Sequence, residues 1–571
     1  MPPALPRPAA RGPRRALATL LLALAGAATA GPPPPAPSLP AAVADALRRA
    51  QVPPDALGAV VLPVVPPGPP GPQGPPSRAG PRWQHLAERP MPPASTMKLL
   101  TSIVALDRLG PNHRGFTELL TRAPQQGEVL AGDLILRGGA DPELDLARLW
   151  ALLAELRDAH GVREIAGDIV LDRQLFRPAL PPPEPPFDQH PEFPYNVAPD
   201  ALQPHGGVMG LELRSGADGA VSARALPPVP GVTLDAAAMR PSERDCAQWR
   251  QDWRSPPERI DEGEGRLRIA LQGGFPRGCT QRAWLQLMDR SELLQRQLRV
   301  LWTELGGRWR GRVRESDAPL LPPLTPAQAA ALAPPPGTPR PATTEPPPPA
   351  APRHGPGTAL AAPGVAWGDT PGAAPADTRL LARHLSRPWG ELLRAMNKAS
   401  DNALARLQFL SLGLAAMAEA PDQPTLALAR RAVLQWLAEQ RIPTEGVVLD
   451  NGSGLSRSDR IGPLQLALAL QVAHQGRWAP ELLTSLPLAG VDGTLRNRLR
   501  SGPAAGSARL KTGALRDVAS VAGYVPDTQG RWWVLVAIVH HEQAGAARPA
   551  LDALVDWVAR GGAAGAGGGL K

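Results

Sequence analysis

Clusters of proline limit how much of this chain can form regular structure. The 571 residues include 73 prolines, and many of them fall in three runs, at 31–40, 66–81 and 317–377. A proline-rich run lacks backbone donors and cannot continue a helix or join the middle of a sheet. The run at 317–377 is also rich in alanine, and it predicts a disordered or extended linker. The folded core must therefore come from the segments between these runs.

The N-terminus has the pattern of a secretory signal peptide. Four arginines between positions 7 and 15 precede an apolar stretch at 16–27, which Ala28-Thr29-Ala30 follows. This pattern predicts cleavage after about Ala30 and a periplasmic or secreted protein. A retained N-terminal anchor is the alternative. No later segment reaches 18 apolar residues, so we expect no integral membrane segment after signal cleavage.

The two cysteines, Cys246 and Cys279, predict one disulfide in an oxidising compartment. Closing a loop of this length would stabilise its region by about 3–4 kcal/mol. Two thiols without flanking histidine or cysteine make a poor metal site, so we expect no metal here.

The net charge of +9 is carried almost wholly by arginine. The sequence has no Lys/Arg run, recognition-helix pattern or interleaving of aromatic and basic residues, and we therefore expect no nucleic-acid partner. A general attraction to anionic surfaces such as cell wall is a milder interpretation. Biased codon usage is the simpler explanation of the arginine content, and we prefer it.

The segments between the proline runs alternate between helix and strand patterns. A helix at 41–51 precedes strands at 58–65 and 83–86, and strands at 132–137 and 167–172 bracket a helix at 144–160. Helical periodicity resumes at 378, with one helix to about 396 and a second from about 403. Strands at 508–515, 517–525 and 531–540 predict an antiparallel meander, which a helix at 548–559 follows.

This order predicts a discontinuous domain with a long insertion. The first domain comprises 31–125 and 378–560, and the insertion at 126–316 forms one or two domains that contain the cysteine pair. The linker at 317–377 follows the insertion. A glycine-rich tail at 561–571 is predicted to be disordered.

Lysine is scarce, and its positions are informative. Lysine and arginine together number 61, and four of these are lysine: Lys98, Lys398, Lys511 and Lys571. Arginine cannot lose its proton in proteins, so lysine should persist where deprotonation is needed. Lys98 follows Ser95 by three residues on one face of a predicted helix, where a lysine of lowered pKa can activate a serine hydroxyl. An ordinary serine and lysine on a helix surface explain this spacing equally well when it stands alone.

Two later motifs favour the catalytic interpretation of Ser95 and Lys98 over the ordinary one. Ser400-Asp401-Asn402 lies in a break between two predicted helices, and Lys511-Thr512-Gly513 lies on a predicted strand. Singly, the first is compatible with a helix N-cap and the second with a turn. In the order S-x-x-K, S-D-N and K-T-G, they are the signature of active-site serine penicillin-recognising enzymes.

On these motifs the chain resembles the D-alanyl-D-alanine carboxypeptidase/endopeptidase family of class C low-molecular-mass penicillin-binding proteins. The resemblance extends from about 57 to 560. It includes PASTMKLLTSIVAL, GDLILRGGADPEL, GDIVLDRQLF, LRAMNKASDNALA, LDNGSGLSR, GVDGTLRNRL and RLKTG. The long insertion between the first two motifs is a trait of that family and argues against a β-lactamase.

The resemblance implies an α+β fold of the penicillin-binding-protein/serine β-lactamase-like transpeptidase type. Such a fold has an antiparallel sheet flanked by helices, here with large inserted α/β and β-rich domains. It also implies removal of terminal D-Ala from peptidoglycan stem peptides, or cleavage of D-Ala–diaminopimelate cross-links. No cofactor is implied, β-lactam antibiotics would act as covalent inhibitors, and a homodimer is a further possibility.

The resemblance assigns catalytic roles to residues of the first two motifs. Ser95 would be the nucleophile and Lys98 its base. Ser400 would relay a proton to the leaving amine, and Asn402 would hold the substrate amide.

The third motif would bind the end of the substrate. Lys511 and Thr512 would bind the terminal carboxylate, Lys511 would also help to keep Lys98 neutral, and Gly513 would let the substrate backbone approach. Backbone N–H groups of Ser95 and Ala514 would form the oxyanion hole. The family usually has threonine where Ala514 stands, so carboxylate binding loses one hydroxyl donor while the oxyanion hole, which uses only backbone, keeps its donor.

Other candidate residues have simpler explanations. His540-His541-Glu542 at a strand end predicts an exposed pair rather than a metal site, because adjacent strand residues point to opposite faces. Ser453 does not fit a nucleophile elbow, and loop packing is the better explanation. The segment from Phe193 to Asn196 is a candidate wall of a substrate pocket. A non-catalytic wall-binding protein and a β-lactamase or esterase are the alternative functions.

Overall fold

The computed structural model describes residues 38–64, 80–180, 185–316 and 377–565. The predicted signal peptide, almost all of the predicted linker at 317–377 and part of the glycine-rich tail lie outside these residues. Across the described part of the chain, none of the helices has the length and apolar character that crossing a membrane requires.

The strands are numbered in chain order. They are β1 Leu57–Pro63, β2 Trp83–His85, β3 Phe116–Thr121, β4 Gln125–Gln126, β5 Val129–Leu130, β6 Leu134–Gly139, β7 Glu164–Ile165, β8 Ile169–Asp172, β9 Met209–Ser215, β10 Val221–Ala225, β11 Val232–Asp235, β12 Met239–Ser242, β13 Trp253–Gly263, β14 Arg266–Pro276, β15 Thr280–Leu285, β16 Arg308–Trp309, β17 Val313–Glu315, β18 Arg379–Leu385, β19 Arg509–Leu515, β20 Val518–Pro526 and β21 Trp532–His540.

The α-helices are numbered in the same way. They are α1 Ala41–Arg49, α2 Met97–Arg108, α3 Leu146–Asp158, α4 Arg290–Glu304, α5 Trp389–Ala399, α6 Asn402–Ser411, α7 Thr425–Glu439, α8 Pro463–Gln475, α9 Ala479–Ser485, α10 Arg548–Ala559 and α11 Gly562–Gly565.

A five-stranded antiparallel sheet in the order β19-β20-β21-β1-β2 carries the active-site strand β19 at one edge. Alternate residues of its strands point to opposite faces, as the period of a strand requires. Val60 and Val536 pack with α2 and α8 on one face. Val61 and Leu535 pack with α1 and α10 on the other. Both faces are buried, which explains why β1, β20 and β21 are apolar almost throughout.

The inserted region contains a second five-stranded sheet, in the order β17-β8-β6-β3-β18. Strands β6 and β8 pair in parallel, with α3 between them along the chain, so the predicted strand–helix–strand unit is confirmed. Helices α3 and α4 cover this sheet through a core that includes Leu153, Leu298 and Trp302.

The predicted helix from 378 to 396 is wrong in its first part. Residues Arg379–Leu385 form β18, which pairs antiparallel with β3, and the helix α5 begins at Trp389. The fully buried carboxylate of Glu118 on β3 bonds to Arg383 of β18 at 2.6 Å and also to Arg137 of β6. This pairing across the sheet outweighs the local helical pattern, because burying Glu118 requires charged partners. The predicted domain limits at 125 and 378 assign β3 and β18 to the discontinuous domain, whereas both strands pair within the sheet of the insertion.

The remainder of the insertion is rich in strands. One sheet has the order β10-β9-β15, and in a second β14 pairs with β11, β12 and β13. Cys246 and Cys279 form the predicted disulfide, with their Cα atoms 5.6 Å apart. Both cysteines contact the apolar core of this part, which includes Trp249 and Phe275.

Candidate active site

Ser95 lies in a 3₁₀ turn, Ala94–Thr96, that leads directly into α2. Two hydroxyl groups donate to the carbonyl of Pro93 at 2.7 Å each, those of Thr96 and of Ser520 on β20. Ala94 adopts a left-handed conformation with φ of 49°, which costs a residue with a Cβ atom energy that its surroundings must supply. The start of α2 is therefore fixed to the sheet, and Ser95 is presented at the helix N-terminus.

Two glycines allow neighbouring backbone to approach this turn. A Cβ atom on Gly454, whose φ is 76°, would lie 1.9 Å from the carbonyl oxygen of Ala94. A Cβ atom on Gly513 would lie 2.3 Å from the hydroxyl of Ser520 and 2.9 Å from the carbonyl oxygen of Pro93. Only glycine fits at either position, so the loop around Gly454 and the strand β19 both close on the nucleophile turn.

Lys98 is fully buried, and its Nζ has three partners. It lies 3.0 Å from Ser95 Oγ, 2.7 Å from Asn402 Oδ1 and 2.6 Å from the carbonyl oxygen of Ser453. The last two are oxygens that only accept hydrogen bonds. A neutral amine has two N–H donors and one lone pair. When the donors serve Asn402 and Ser453, the lone pair faces the hydroxyl of Ser95.

The surroundings of Lys98 favour this neutral form. Burial and then the positive charge of Lys511 lower the pKa of Lys98 well below its ordinary value, and Arg406 lowers it further. Asp401 and Asp459 act in the opposite direction. The opposing effect of Asp459 is weakened because burial raises the pKa of its own carboxyl to about 7. The lowered pKa favours the neutral amine, which is the form that a general base needs.

The segment 400–402 joins two helices and turns its polar groups inward. Ser400 ends α5 in a left-handed conformation with φ of 60°, and Asp401 caps α6 by accepting from the N–H of Leu404 at 3.0 Å. Asn402 is the first residue of α6. Its Oδ1 accepts from Lys98, so its amide nitrogen remains available to donate to a substrate carbonyl.

Lys511 links the second motif to the third. Its Nζ donates to Ser400 Oγ at 2.8 Å and to the carbonyl oxygen of Thr512 at 2.7 Å. Burial lowers the pKa of Lys511 to about 7. The cation is therefore close to its point of titration at neutral pH, and a bound anion would favour the charged form.

The side chains of Thr512 and Ala514 lie on the same face of β19, because they are two residues apart on a strand. Thr512 Oγ1 lies 2.8 Å from Thr494 Oγ1, which belongs to the 3₁₀ turn Gly493–Leu495. Ala514 and Thr494 are exposed, and Thr512 is partly exposed. Two adjacent hydroxyls therefore lie at this face of the strand, one from Thr512 on β19 and one from Thr494 on the neighbouring turn, although Ala514 contributes none.

Two cavities flank the motifs. One of about 450 Å³ is lined by Ser400, Asn402, Phe193, Tyr195 and others. Phe193 itself is almost fully buried, and Tyr195 donates its hydroxyl to Asp188 at 2.9 Å. Phe193 and Tyr195 of the predicted pocket segment thus line this cavity, whereas Asn196 of that segment lines a different one, and a substrate in this cavity stays a prediction.

The other cavity, of about 960 Å³, lies beside the end of β19. Its lining includes Arg457, Arg460, Arg516 and His540. His540 is exposed and lies 3.2 Å from the carboxylate of Asp517. The partner of His540 is therefore a carboxylate rather than the neighbouring His541.

The structure brings every sequence-predicted residue of the three motifs into one site, and it adds groups that the sequence reasoning missed. The carbonyl of Ser453 is a partner of Lys98, although the side chain of Ser453 only braces its loop by donating to Asn451 Oδ1 at 2.6 Å. Thr494 was also missed. Both belong to segments that resemble the family, LDNGSGLSR and GVDGTLRNRL, and this was the one signal that pointed to them.

Comparisons with known proteins agree with this geometry. Residues 77–333 and 358–561 match the family described as D-Ala-D-Ala carboxypeptidase 3 (S13). The chain is 25% identical over 480 residues to a D-alanyl-D-alanine carboxypeptidase of Haemophilus influenzae, covering 79% of this chain and 81% of that one. It is 28% identical over 479 residues to a D-alanyl-D-alanine carboxypeptidase of an Actinomadura species, covering 80% and 74%.

The fold is also shared with a solved structure. The crystal structure of penicillin-binding protein 4 from Haemophilus influenzae matches with a TM-score of 0.65 and 21% identity, covering 90% of this chain and 99% of that chain. The predicted penicillin-binding-protein type of α+β fold is thereby confirmed. With more than half of its residues matched to one family, the chain belongs to the D-Ala-D-Ala carboxypeptidase 3 (S13) family and is a D-Ala-D-Ala carboxypeptidase.

Proposed function

We propose that this enzyme hydrolyses D-alanyl peptide bonds of peptidoglycan stem peptides through an acyl-enzyme on Ser95. The observation that carries the proposal is the hydrogen bonding of Lys98. Two obligatory acceptors take its N–H groups, and the remaining side of the amine faces Ser95 Oγ at 3.0 Å.

In the acylation step, Ser95 Oγ gives its proton to Nζ of Lys98 and attacks the carbonyl carbon of the scissile amide. The oxyanion is stabilised by the N–H groups of Ser95 and Ala514, the first of which also lies at the N-terminus of α2. When the C–N bond breaks, the proton that Lys98 took from Ser95 passes to the leaving amine, and Lys98 is neutral again. Ser400 is suited to relay this proton, because a hydroxyl can accept one proton while it donates another, and Lys511 Nζ holds this hydroxyl at 2.8 Å.

Deacylation uses the same groups in reverse. A water molecule gives a proton to the neutral Lys98 and attacks the ester carbonyl, and Ser95 leaves with the proton restored to its oxygen. The sum of both steps is the addition of one water across one amide bond. A β-lactam follows the first step, since opening its ring leaves the acyl group on Ser95.

The groups that hold the substrate are different from the pair that transfers the proton, Ser95 and Lys98. The amide nitrogen of Asn402 is suited to donate to a backbone carbonyl, and Lys511 with Thr512 is suited to receive a terminal carboxylate. The N-terminal pattern and the wall substrate together favour a periplasmic or secreted location.

Labelling and product release test the proposal together. Wild-type protein should bind a fluorescent penicillin covalently, gain the mass of one penicilloyl group on the peptide containing Ser95, and release D-Ala from a stem pentapeptide. Ser95→Ala should lose both properties. Ser102→Ala is a matched control, because this serine lies on α2, the helix directly after the turn that holds Ser95, and its hydroxyl donates to the carbonyl of Lys98 at 2.7 Å. This variant should keep both properties. Labelling that survives in Ser95→Ala contradicts the proposal, and labelling without release of D-Ala supports a wall-binding protein instead.

A further inference from the structure

The S13 family usually places a threonine where this chain has Ala514, so one donor to the terminal carboxylate is missing from β19. A hydroxyl from another segment, the turn Gly493–Leu495, lies beside β19. Thr494 Oγ1 lies 2.8 Å from Thr512 Oγ1, and Thr494 is exposed while Thr512 is partly exposed. We propose that Thr494 and Thr512 together bind the terminal carboxylate of the substrate, and that Thr494 replaces the hydroxyl that Ala514 lacks. This inference rests on the proposed function.

The position of Thr494 is fixed on both sides along the chain. The carboxylate of Asp492 forms an ion pair with Lys398 and accepts from the N–H of Leu488 at 2.9 Å. Leu495 is fully buried in the core beneath the catalytic sheet. A flexible loop would lose conformational entropy on binding a carboxylate, whereas a loop held in this way does not.

Gly493 brings this loop against the second motif. Its φ is 55°, and a Cβ atom there would lie 2.9 Å from the carbonyl oxygen of Lys398, two residues before Ser400. Lys398 Nζ also donates to the carbonyl oxygen of Leu486 at 3.1 Å. Lys398 therefore acts as a positioning residue, because it holds the loop that carries Thr494 next to α5.

The chemistry of the hydroxyl pair suits a carboxylate. Each threonine hydroxyl has one proton and two lone pairs, so when one donates to the other, the second still has a proton to donate outward. A hydroxyl that already accepts a hydrogen bond is a stronger donor, and hydrogen bonds to an ionised acceptor are the strong ones. Lys511, next to Thr512, adds positive charge in its protonated form.

The test compares two thioester substrates of the same N-acyl-D-alanine. One has mercaptoacetate as its leaving group, with a free carboxylate, and the other has the methyl ester of mercaptoacetate, without one. We expect Thr494→Val to lower kcat/KM for the carboxylate substrate by about 10- to 100-fold, the loss that corresponds to one hydrogen bond to a charged group. Turnover of the methyl ester should change less than about threefold, and Thr494→Ser should behave as wild type on both.

A double variant tests whether the Thr494 hydroxyl takes the role of the one that Ala514 lacks. Adding Ala514→Thr to Thr494→Val should recover most of the lost activity on the carboxylate substrate, and a double variant as slow as Thr494→Val contradicts the replacement of one hydroxyl by the other. Equal rates for Thr494→Val and wild type, or equal losses on both substrates, also overturn the inference. A wild-type protein that turns over neither thioester and takes no penicillin would instead overturn the proposed function.

Discussion

The hydroxyl of Ser95 lies 3.0 Å from Nζ of Lys98, on the one side of that amine that no obligatory acceptor occupies. The two residues are three positions apart at the start of one helix, so their alignment depends on the backbone of that turn. The two acceptors come from distant parts of the chain. Asn402 belongs to α6, and Ser453 belongs to the loop before α8. These acceptors determine which way the amine presents its lone pair.

Replacing Lys98 with methionine tests whether this lone pair is needed. Lys98→Met keeps the length and the neutral state of the side chain but has no nitrogen. We expect acylation by benzylpenicillin to slow by at least about 100-fold, the lower end of what general base catalysis contributes. The measurement is stopped-flow or gel-based labelling at neutral pH, with thermal unfolding to verify the fold. An acylation rate within tenfold of wild type would show that Lys98 is not the base.

The pH dependence of kcat/KM should be bell-shaped for a substrate with a free carboxylate. The rate rises as Lys98 loses its proton, because only the neutral amine accepts the proton of Ser95. It falls as pH rises through about 7, the pKa to which burial lowers Lys511, because Lys511 then loses the charge that attracts the carboxylate. A substrate without a carboxylate should lack the falling limb.

Asp459 serves as the control for this assignment, because the pKa of its carboxyl is also raised to about 7. Asp459→Asn should keep the falling limb if Lys511 causes it. A falling limb that disappears in Asp459→Asn, or that persists for the substrate without a carboxylate, would reject Lys511 as its origin.

Asn402→Asp should move the rising limb of the same profile to higher pH. The new carboxylate would lie at the position of an oxygen 2.7 Å from Lys98 Nζ. A negative charge so close favours the protonated amine, and we expect a shift of about 1–3 pH units. Benzylpenicillin labelling between pH 5 and about 10 measures this. A rising limb at the wild-type position would mean that Asn402 does not contact the base in solution.

Gly454→Ala should lower the free energy of unfolding and slow the acylation of Ser95. Gly530→Ala should lower the free energy of unfolding less and leave acylation unchanged. Both glycines have φ of 76°, so both substitutions incur the same backbone strain, about 1–2 kcal/mol. Only at Gly454 does the new Cβ atom meet a backbone oxygen, that of Ala94, while Gly530 has open space around it. We expect a further loss of about 2 kcal/mol or more in the free energy of unfolding and slower acylation for Gly454→Ala alone. Equal unfolding curves for the two variants would contradict the close contact.

The sequence was sufficient to find the groups that carry the chemistry, because each motif has a fixed local setting. Ser95 and Lys98 share one turn, Ser400 and Asn402 bracket one helix break, and Lys511 lies on one strand. The antiparallel meander was predictable for the same reason, since its alternation and turn are local.

Features that depend on distant partners were not predictable from local patterns. Residues Arg379–Leu385 read as helix because their apolar spacing is compatible with one, but pairing with β3 and the burial of Glu118 decide the outcome. The role of the Ser453 carbonyl could not be predicted from side-chain chemistry, because every residue has a backbone carbonyl and the sequence does not mark which one contacts Lys98. Thr494 required knowing that the turn at Gly493–Leu495 packs beside β19.

The pairing of β1 with β21 joins Leu57 to Val539. During synthesis the first strand of the catalytic sheet must therefore wait, without its main partner, until nearly all of the described chain has left the ribosome. Long-range pairing of this kind slows folding and leaves an apolar strand exposed in the meantime. Lys511 arrives late as well, on the edge strand that β20 and β21 must bring into place. A chain released before β21 would carry Ser95 and Lys98 without the sheet that holds them, so the competence to form an acyl-enzyme should arise only when the late strands have docked.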